Sequence, residues 1–308
     1  MSKSTDATNE DARIVLIAQN PRSGSSNRGR LVQSLAQELI RNGMEVKVIQ
    51  DIDELVLQAE KLLASRELRT VVSAGGDGTV SLLVNRLPAE VPFFVFPLGT
   101  ANLLANYLKI NRDIDQAVAT IVNCKTVMLD VGKANDRLFL VVASIGFDAD
   151  VVHRLHSARK GHINYATYLL PVARAILGYK FPAMKLVADE KTLSPAKWTF
   201  VFNIPRYAIG LRMIDDADGQ DGMLDACTFS GGGFLTGLGY FFSVLLRRHR
   251  KLDATEFSRF RSLQISSEKG EEIPVELDGD PAGTLPLTIS VVPERICVVV
   301  NPDWNPGI

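Results

Sequence analysis

Along the first 125 residues, the spacing of the apolar positions switches repeatedly between a strand-like and a helix-like pattern. Short β-branched and apolar runs predict strands, at residues 13–18, 45–49, 70–73 and 93–96. Helical spacing between these runs predicts helices, at residues 29–42, 53–65 and 79–86 and from about residue 101. Strands that alternate strictly with helices are typical of an α/β domain, in which a parallel sheet carries helices on both faces.

Beyond about Met128 the pattern changes to short apolar strands separated by turn-forming clusters. The predicted strands are residues 139–143, 199–203, 224–228, 262–266, 287–292 and 296–300, and the predicted helices are roughly residues 165–177 and 234–247. This pattern predicts a mostly antiparallel β domain with a few helices. Because the run at 295–300 is continuously apolar, it suits a sheet covered on both faces, and we expect it to return to the first domain. The predicted domains are therefore residues 1–126 with 294–308, and residues 127–293.

Composition and charge argue against several classes of protein, namely nucleic-acid-binding, disulfide-rich, zinc-binding and membrane-spanning proteins. The chain has 308 residues, a formal net charge of −1 and three widely spaced cysteines. The charge gives no sign of a nucleic-acid partner, and the cysteines favour a reducing compartment over a disulfide framework or a zinc site. No secretory signal precedes the first strand, and no apolar run reaches the roughly 18–20 residues of a membrane span. We therefore expect a cytoplasmic protein that meets a membrane, if at all, peripherally at its inner face; a homodimer is left open.

The helix predicted near residues 233–246 is apolar nearly all round and ends in the basic run RRHRK. One interpretation is a surface helix that docks on anionic lipid. The other is a buried helix whose C-terminal cations interact favourably with its dipole. All-round apolarity favours the buried helix.

Three loops between a predicted strand and a predicted helix could bind an anion. The first, from Asn20 to Gly29, has the glycine spacing of a P-loop, but Arg30 and Leu31 replace the lysine and hydroxyl residue that such a loop needs. An ordinary capped turn is slightly preferred for this segment on its own.

The second is the GGDGT loop, Gly75–Thr79, directly after an apolar strand. Three glycines in four positions indicate close approach or positive φ, and the Asp77 carboxylate is suited to a magnesium-bridged phosphate. A hairpin turn is the alternative, but the helix that follows argues against it. The third is the PLGTAN loop, Pro97–Asn102, where Thr100 could simply cap the next helix.

These segments, in this order and spacing, resemble the catalytic-domain family of diacylglycerol kinases, which includes bacterial lipid kinases, sphingosine kinases and ceramide kinases. The likeness continues through SIGFD (144–148), DGQDGML (218–224) and LDGD (277–280), and so covers nearly the whole chain. GGDGT alone also occurs in NAD kinases. The resemblance implies a two-domain kinase that binds ATP and Mg²⁺ and phosphorylates a lipid hydroxyl at a membrane surface.

The resemblance also implies roles for individual residues. The nucleotide-binding residues would be Asn20, Pro21, Arg22, Ser23, Gly24, Gly75, Gly76, Asp77, Gly78, Thr79, Leu82 and Thr100. Asp77 would act on the catalytic magnesium. A structural metal would be held by the Asp221 side chain and by main-chain oxygens of Asp218 and Met223.

The family places its general base at the last position of an Asp-Gly-Glu element, where this sequence has Asp280. Either Asp280 reaches the acceptor hydroxyl despite its shorter side chain, or Asp278 acts through water. A second departure is Ser25, where relatives often have lysine; Arg22, Arg28 or Arg30 could supply that charge.

Two other functions stay open. An NAD kinase-like enzyme is disfavoured by PLGTAN and by the terminal LDGDP element. A non-catalytic nucleotide sensor is suggested by the replacement of glutamate with Asp280. The sequence does not identify which lipid alcohol would be the acceptor.

Overall fold

A computed structural model describes residues 11–19, 26–157, 178–206, 213–246 and 248–305. The chain forms two compact units, one made of Met1–Val131 with Pro293–Ile308 and the other of Gly132–Val292. Both boundaries between the units fall within a strand, the first within Thr126–Ala134 and the second within Leu287–Val299. The segment Asn20–Gly24 and the predicted helix at 165–177 lie outside the described residues.

Unit 1 alternates strands and helices. Its strands are β1 (Ile14–Gln19), β2 (Glu45–Ile49), β3 (Leu68–Gly75), β4 (Pro92–Pro97) and β5 (Thr126–Ala134), and its helices are α1 (Ser26–Arg41), α2 (Ile52–Ala64), α3 (Asp77–Val84), α4 (Leu103–Tyr107) and α5 (Ile114–Asn123). The strands β2, β1, β3 and β4 pair in that order, all parallel. Every residue of β3 and β4 is buried, as expected for central strands of a sheet covered on both faces. The predicted α/β architecture is confirmed.

Local side-chain chemistry explains where two of these helices begin. The Asp51 carboxylate accepts a hydrogen bond from the backbone N–H of Glu54 at 2.9 Å, and the Asp113 carboxylate accepts one from Gln116 at 3.0 Å. Each satisfies an N–H group that has no partner within its own helix. Helices α2 and α5 therefore start directly after an aspartate.

Unit 2 consists mostly of strands. They are β6 (Arg137–Phe139), β7 (Val142–Gly146), β8 (Met184–Ala188), β9 (Lys191–Thr192), β10 (Trp198–Phe202), β11 (Leu224–Phe229), β12 (Thr255–Phe260), β13 (Ser262–Ser267), β14 (Pro274–Leu277), β15 (Asp280–Thr284) and β16 (Leu287–Val299). The described helices are α6 (Phe147–Ser157), α7 (Phe234–Leu245) and a 3₁₀ turn at His249–Lys251.

Two antiparallel sheets form this unit. One has the order β12-β11-β10-β7-β14-β15, and the other continues from the first part of β16 through β13 and β8 to β9. Their inner faces share one core, in which Phe139, Ile145, Val201, Phe260 and Ile265 are almost completely buried. The predicted antiparallel β domain is confirmed as a sandwich of two sheets.

The end of the chain completes the sheet of unit 1. Cys297 and Val298, in the last part of β16, pair in parallel with Pro92 and Phe93 of β4. Beyond the strand, the Trp304 ring lies edge-on to Tyr107 with 5.7 Å between centroids, and its indole N–H donates to the Tyr107 carbonyl at 3.3 Å. The final residues therefore add a strand to the sheet and pack against α4.

Three sequence expectations differ from the structure. The two runs predicted at 287–292 and 296–300 lie in one continuous strand, Leu287–Val299. The segment DPAGT (280–284), which belongs to one of the turn-forming clusters of the sequence, forms β15. Helix α7 is not buried all round, because Leu235 and Phe242 have 79% and 49% of their surface exposed while Tyr240 and Val244 are buried. An all-apolar sequence shows that a helix can be buried, but not which side finds a partner. None of the described helices is both long and apolar enough to cross a membrane.

The packing of Trp304 yields a test of unit 1. Replacing Trp304 with Ala removes a buried aromatic ring, and we expect the free energy of unfolding to fall by about 3–5 kcal/mol. Leu57→Ala is the control, since Leu57 on α2 is 67% exposed and its truncation should change stability by less than about 0.5 kcal/mol. Denaturant titration measures both, and equal stability of the two variants would contradict the anchoring role of the terminal segment.

Candidate active site

The GGDGT loop joins the buried strand β3 to helix α3. A Cβ atom at Gly75 would overlap the side chain of Thr79, so this position requires glycine. The Thr79 N–H donates to the Gly76 carbonyl at 2.9 Å, which closes the first turn of α3. The loop therefore lies at the carboxyl end of a parallel strand, where ligands of such sheets bind.

The PLGTAN loop packs directly against it, backbone to backbone. A Cβ atom at Gly99 would lie 2.5 Å from the Cα atom of Gly76, which no side chain could tolerate. The Leu98 N–H also donates to the Gly75 carbonyl at 2.8 Å. The structure thus brings together two segments that lie about twenty residues apart in the sequence.

Asp77 fastens these two loops to each other. Its carboxylate oxygens accept hydrogen bonds from the N–H groups of Asn102 at 2.8 Å and Leu103 at 2.6 Å. Burial raises the pKa of this carboxyl, and the same N–H groups partly oppose the rise. These bonds hold the carboxylate in place, and a carboxylate oxygen is the kind of ligand that Mg²⁺ prefers.

The N-cap position of α4 is Asn102, not Thr100. Asn102 has a φ of 48°, and its side-chain oxygen accepts the Gly99 N–H at 2.8 Å while its amide donates to the Gly99 carbonyl at 2.9 Å. Helix α4 begins at Leu103, so the capping role considered for Thr100 is wrong. Thr100 and Leu82 are exposed on unit 1 and remain available to a ligand.

Arg112 is a cation at this site that the sequence pattern did not reveal. Its guanidinium donates to the Pro97 carbonyl at 2.8 Å and to the Gly99 carbonyl at 2.7 Å. A guanidinium has five N–H groups, so further donors and the full positive charge remain for an anion. No motif marks Arg112, because it reaches the PLGTAN loop only through the fold.

In unit 2, the LDGDP turn is a two-residue hairpin between β14 and β15. Leu277 pairs with Asp280, and the residues between them, Asp278 and Gly279, have φ values of 51° and 93°. Two consecutive residues with positive φ match a type I′ turn, for which Asp-Gly is a favoured pair. The turn geometry is therefore encoded locally.

Asp278 and Asp280 have different surroundings. The Asp278 carboxylate accepts the backbone N–H groups of Leu140, Val141 and Val142, at 2.7 Å, 2.9 Å and 3.1 Å. The Asp280 side chain is 38% exposed, and its closest ion pair is with Arg137 at 3.7 Å. Asp278 is thus held by the protein, whereas Asp280 keeps most of its hydrogen-bonding capacity.

Glu276, which the sequence did not single out, lies beneath this turn and is only 2% exposed. It accepts hydrogen bonds from the Ser144 hydroxyl at 2.7 Å and from the Gly279 N–H. Burial, reinforced by the Asp148 carboxylate, raises the pKa of Glu276 to about 8. At neutral pH the group is therefore a protonated carboxyl, and its hydrogen bond with the Gly279 N–H stabilises the turn.

The acidic loop before β11 contains the residues assigned to a structural metal. The Asp221 carboxylate accepts the Met223 N–H at 2.9 Å and also pairs with Arg259, while Asp218 accepts the Gln220 N–H at 3.2 Å. Burial raises the pKa of Asp225 to about 6; Arg259 opposes the rise, and Asp221 adds to it.

Carboxylate and carbonyl oxygens suit a hard cation, and the surplus of acidic groups in this loop fits one. Across the described residues, no three acidic, histidine or cysteine side chains converge as a metal-binding group. Any ion here would accordingly depend on main-chain oxygens or water in addition to Asp221.

The chain was compared with protein families and with known proteins. Residues 13–134 match the diacylglycerol kinase catalytic domain, and residues 141–300 match the YegS C-terminal NAD kinase beta sandwich-like domain. A diacylglycerol kinase of Staphylococcus haemolyticus is 26% identical over 93% of this chain and 88% of its own length. One of Staphylococcus epidermidis is 24% identical over 93% of this chain and 92% of its own.

Solved structures support the same fold. A diacylglycerol kinase from Bacillus anthracis aligns with a TM-score of 0.68 and 20% identity, covering 94% of this chain and 97% of its own. An NAD kinase from Archaeoglobus fulgidus in complex with ATP aligns with a TM-score of 0.53 and 12% identity, covering 94% of each chain. With both of its domains matched, the chain belongs to the diacylglycerol kinase-like family of lipid kinases.

Proposed function

We propose that this protein transfers the γ-phosphoryl group of ATP to a hydroxyl of a membrane lipid, such as diacylglycerol or a sphingoid or ceramide-type lipid. The observation that carries the proposal is the pair of glycine loops in contact, tied together by Asp77. Phosphoryl transfer needs alignment, charge neutralisation and an orienting group, and little covalent chemistry from the protein. The described residues offer all three.

The donor side of the reaction is assigned to unit 1. Glycine backbone in the GGDGT and PLGTAN loops allows phosphate oxygens to approach N–H groups closely. Arg112 supplies a positive charge beside the PLGTAN loop. Ser25, which lies outside the described residues, is uncharged where relatives often have lysine. Asp77 would hold Mg²⁺ directly or through water, and the ion, when bound, would neutralise charge on the transferred group. The predicted nucleotide residues Asn20–Gly24 remain part of the proposal.

The acceptor side is assigned to the LDGDP turn of unit 2. Asp280 is the proposed base because its carboxylate is partly exposed and only loosely paired. Asp278 is a poor candidate, since three backbone N–H groups already occupy its oxygens. In this assignment Asp280 accepts the hydroxyl proton as the acceptor oxygen attacks the γ-phosphorus atom of ATP, whose bond to the bridging oxygen breaks to release ADP. Asp278 and Glu276 keep the turn in place.

An NAD kinase-like activity is the second candidate, and the fold likeness to an NAD kinase is the observation that favours it. Incubation with radiolabelled ATP and a total lipid extract, beside a reaction containing NAD, separates the two. Chromatography should show label in a lipid product and none in NADP. Label in NADP alone would replace the proposal, and no transfer to either acceptor would favour a nucleotide sensor.

Asp77 is expected to be required for turnover beyond its role in joining the two loops. Asp77→Asn should lower kcat by about 10²–10³-fold, because the amide lacks the negative charge that would hold a cation at the phosphates. Asp51→Asn is the matched control, since the Asp51 carboxylate also accepts a backbone N–H at the start of a helix but is hydrogen-bonded to Glu54 of α2 and to neither glycine loop. Asp51→Asn should be nearly neutral in stability, because asparagine caps a helix about as well as aspartate. If the two variants had equal activities, Asp77 would have a structural role only, and its assignment to turnover would be wrong.

Asp280 is expected to act on the acceptor. Asp280→Asn should lower kcat by about 10²–10⁴-fold with little change in ATP affinity, whereas Asp280→Glu should keep much of the activity. Asp278→Asn should instead lower stability by about 1–3 kcal/mol, because an amide cannot accept all three N–H groups. If Asp280→Asn turns over normally while Asp278→Asn is stable and inactive, the two assignments are reversed.

Glu276 is expected to make stability depend on pH. The pKa of this group is about 8 in the folded protein and 4.5 in its ordinary state, so the folded chain binds the extra proton between these values. Stability is therefore lost as pH rises from 4.5 to about 8. Glu276→Gln does not titrate, and its Tm relative to the parent should increase over this interval, by about 2–4 °C per kcal/mol. A difference in Tm that is constant from pH 5 to pH 8 would contradict a neutral buried carboxyl.

A further inference from the structure

Arg259, on the edge strand β12, contacts two carboxylates of unit 2. Its Nε atom lies 3.4 Å from an oxygen of Asp225, and its Nη2 atom pairs with an oxygen of Asp221. Asp225 stands directly opposite Arg259 in the antiparallel pair of β11 and β12, so the strand register fixes where the guanidinium lies. Arg259 therefore connects the sheet to the acidic loop, residues 215–223, which contains four aspartates.

One of these two carboxylates has little access to water. The Asp225 side chain is 8% exposed, compared with 26% for Asp221 and 51% for Arg259. A buried carboxylate is costly to charge unless a cation lies beside it. The guanidinium of Arg259, which is always protonated, is such a cation.

The same guanidinium reaches the side chain that the family resemblance assigns to a structural metal. Asp221 Oδ2 pairs with Arg259, and Asp221 Oδ1 accepts the Met223 N–H at 2.9 Å. The Asp218 carbonyl, a second assigned ligand, accepts the Asp221 N–H at 3.4 Å. Both oxygens of the Asp221 carboxylate therefore have partners within the protein.

A divalent ion at Asp221 would meet this guanidinium. Mg²⁺ and Ca²⁺ bind carboxylate oxygens at about 2.0–2.6 Å, so an ion on Asp221 would lie next to the hydrogen-bonded Arg259. Repulsion between neighbouring positive charges is strong where water is partly excluded. Binding of the ion would accordingly require Arg259 to leave Asp221.

We propose that Arg259 is the resident cation of the acidic loop and takes the place of the divalent ion that the resemblance implies at Asp221. The loop is then held to β12 by a charge that the chain itself supplies, and the stability of unit 2 does not depend on a bound metal ion. The inference is independent of the proposed function, because it concerns the stability of this loop and involves no step of phosphoryl transfer.

Thermal unfolding of the full chain, without nucleotide, tests this assignment. The measured quantity is the ion response, which is the Tm in millimolar Mg²⁺ or Ca²⁺ minus the Tm in EDTA. An ion that binds only the folded chain raises Tm. The parent should have the same ion response as Asp221→Asn, because no ion occupies Asp221 while Arg259 is in place; an ion held elsewhere in the chain contributes equally to both.

Arg259→Gln removes the charge but keeps N–H groups at the end of the side chain. Its Tm in EDTA should fall by about 5 °C or more, because two carboxylates lose their cation. Mg²⁺ or Ca²⁺ should restore part of this loss, since Asp221 is then free to bind an ion, and adding Asp221→Asn should abolish the restoration. Arg259→Lys keeps the charge and should have the ion response of the parent.

Arg250→Gln is the matched control. Arg250 pairs with Asp216 of the same loop at 3.2 Å, and its side chain is 45% exposed, close to the value for Arg259. Its ion pair is with neither Asp221 nor Asp225. Removal of this charge should therefore leave the ion response as it is in the parent.

Three results would overturn the assignment. The first is an ion response of the parent that Asp221→Asn abolishes, which would show an ion at Asp221 beside Arg259; this result does not require Arg259→Gln to fold. The second is a Tm of Arg259→Gln in EDTA equal to that of the parent. The third is a loss of Tm in Arg259→Gln that neither ion restores, since Arg259 would then be an ordinary ion-pair partner that replaces no metal.

Discussion

The carboxylate of Asp77 receives two backbone N–H groups from the start of α4, and this joins two loops that contain glycine where they touch. The contact between Gly76 and Gly99 leaves no room for a side chain, so the loops approach closely only because both positions lack a Cβ atom. Burial would otherwise favour the neutral acid, and the two N–H groups work against it. The same residue thus organises the loops and presents an oxygen donor at the end of the parallel strands.

A comparable constraint operates in unit 2, where three carboxyl groups near one hairpin differ in their surroundings. Glu276 is buried and neutral, Asp278 accepts three backbone N–H groups, and Asp280 is partly exposed. Separate environments give chemically similar groups separate roles, as is common where protons are transferred. The two inner groups fix the turn, so the outer one projects from a rigid position.

The sequence predicts the architecture well because its signals are local. Alternating periods identify the parallel sheet, and Asp-Gly pairs identify turns. What it misses depends on contacts between distant segments. Arg112 reaches the PLGTAN loop and Glu276 reaches Ser144, 132 residues away in the chain, and neither contact leaves a pattern. The sequence also does not predict which face of α7 is exposed. Every face of that helix is apolar, and only the packing of Tyr240 and Val244 distinguishes the buried face from the exposed one.

The rigid hairpin also bears on the replacement of the family glutamate by Asp280. A flexible turn could shift to compensate for a side chain that is one methylene shorter. Here the turn is held through the Asp278 carboxylate, which accepts three backbone N–H groups, and through the Gly279 N–H, which donates to Glu276, so little shift is available. If Asp280 is the base, the acceptor hydroxyl must come closer to the turn than it does in relatives. The substitution would then act on the choice or pose of the acceptor lipid, leaving the nucleotide side of the reaction unchanged.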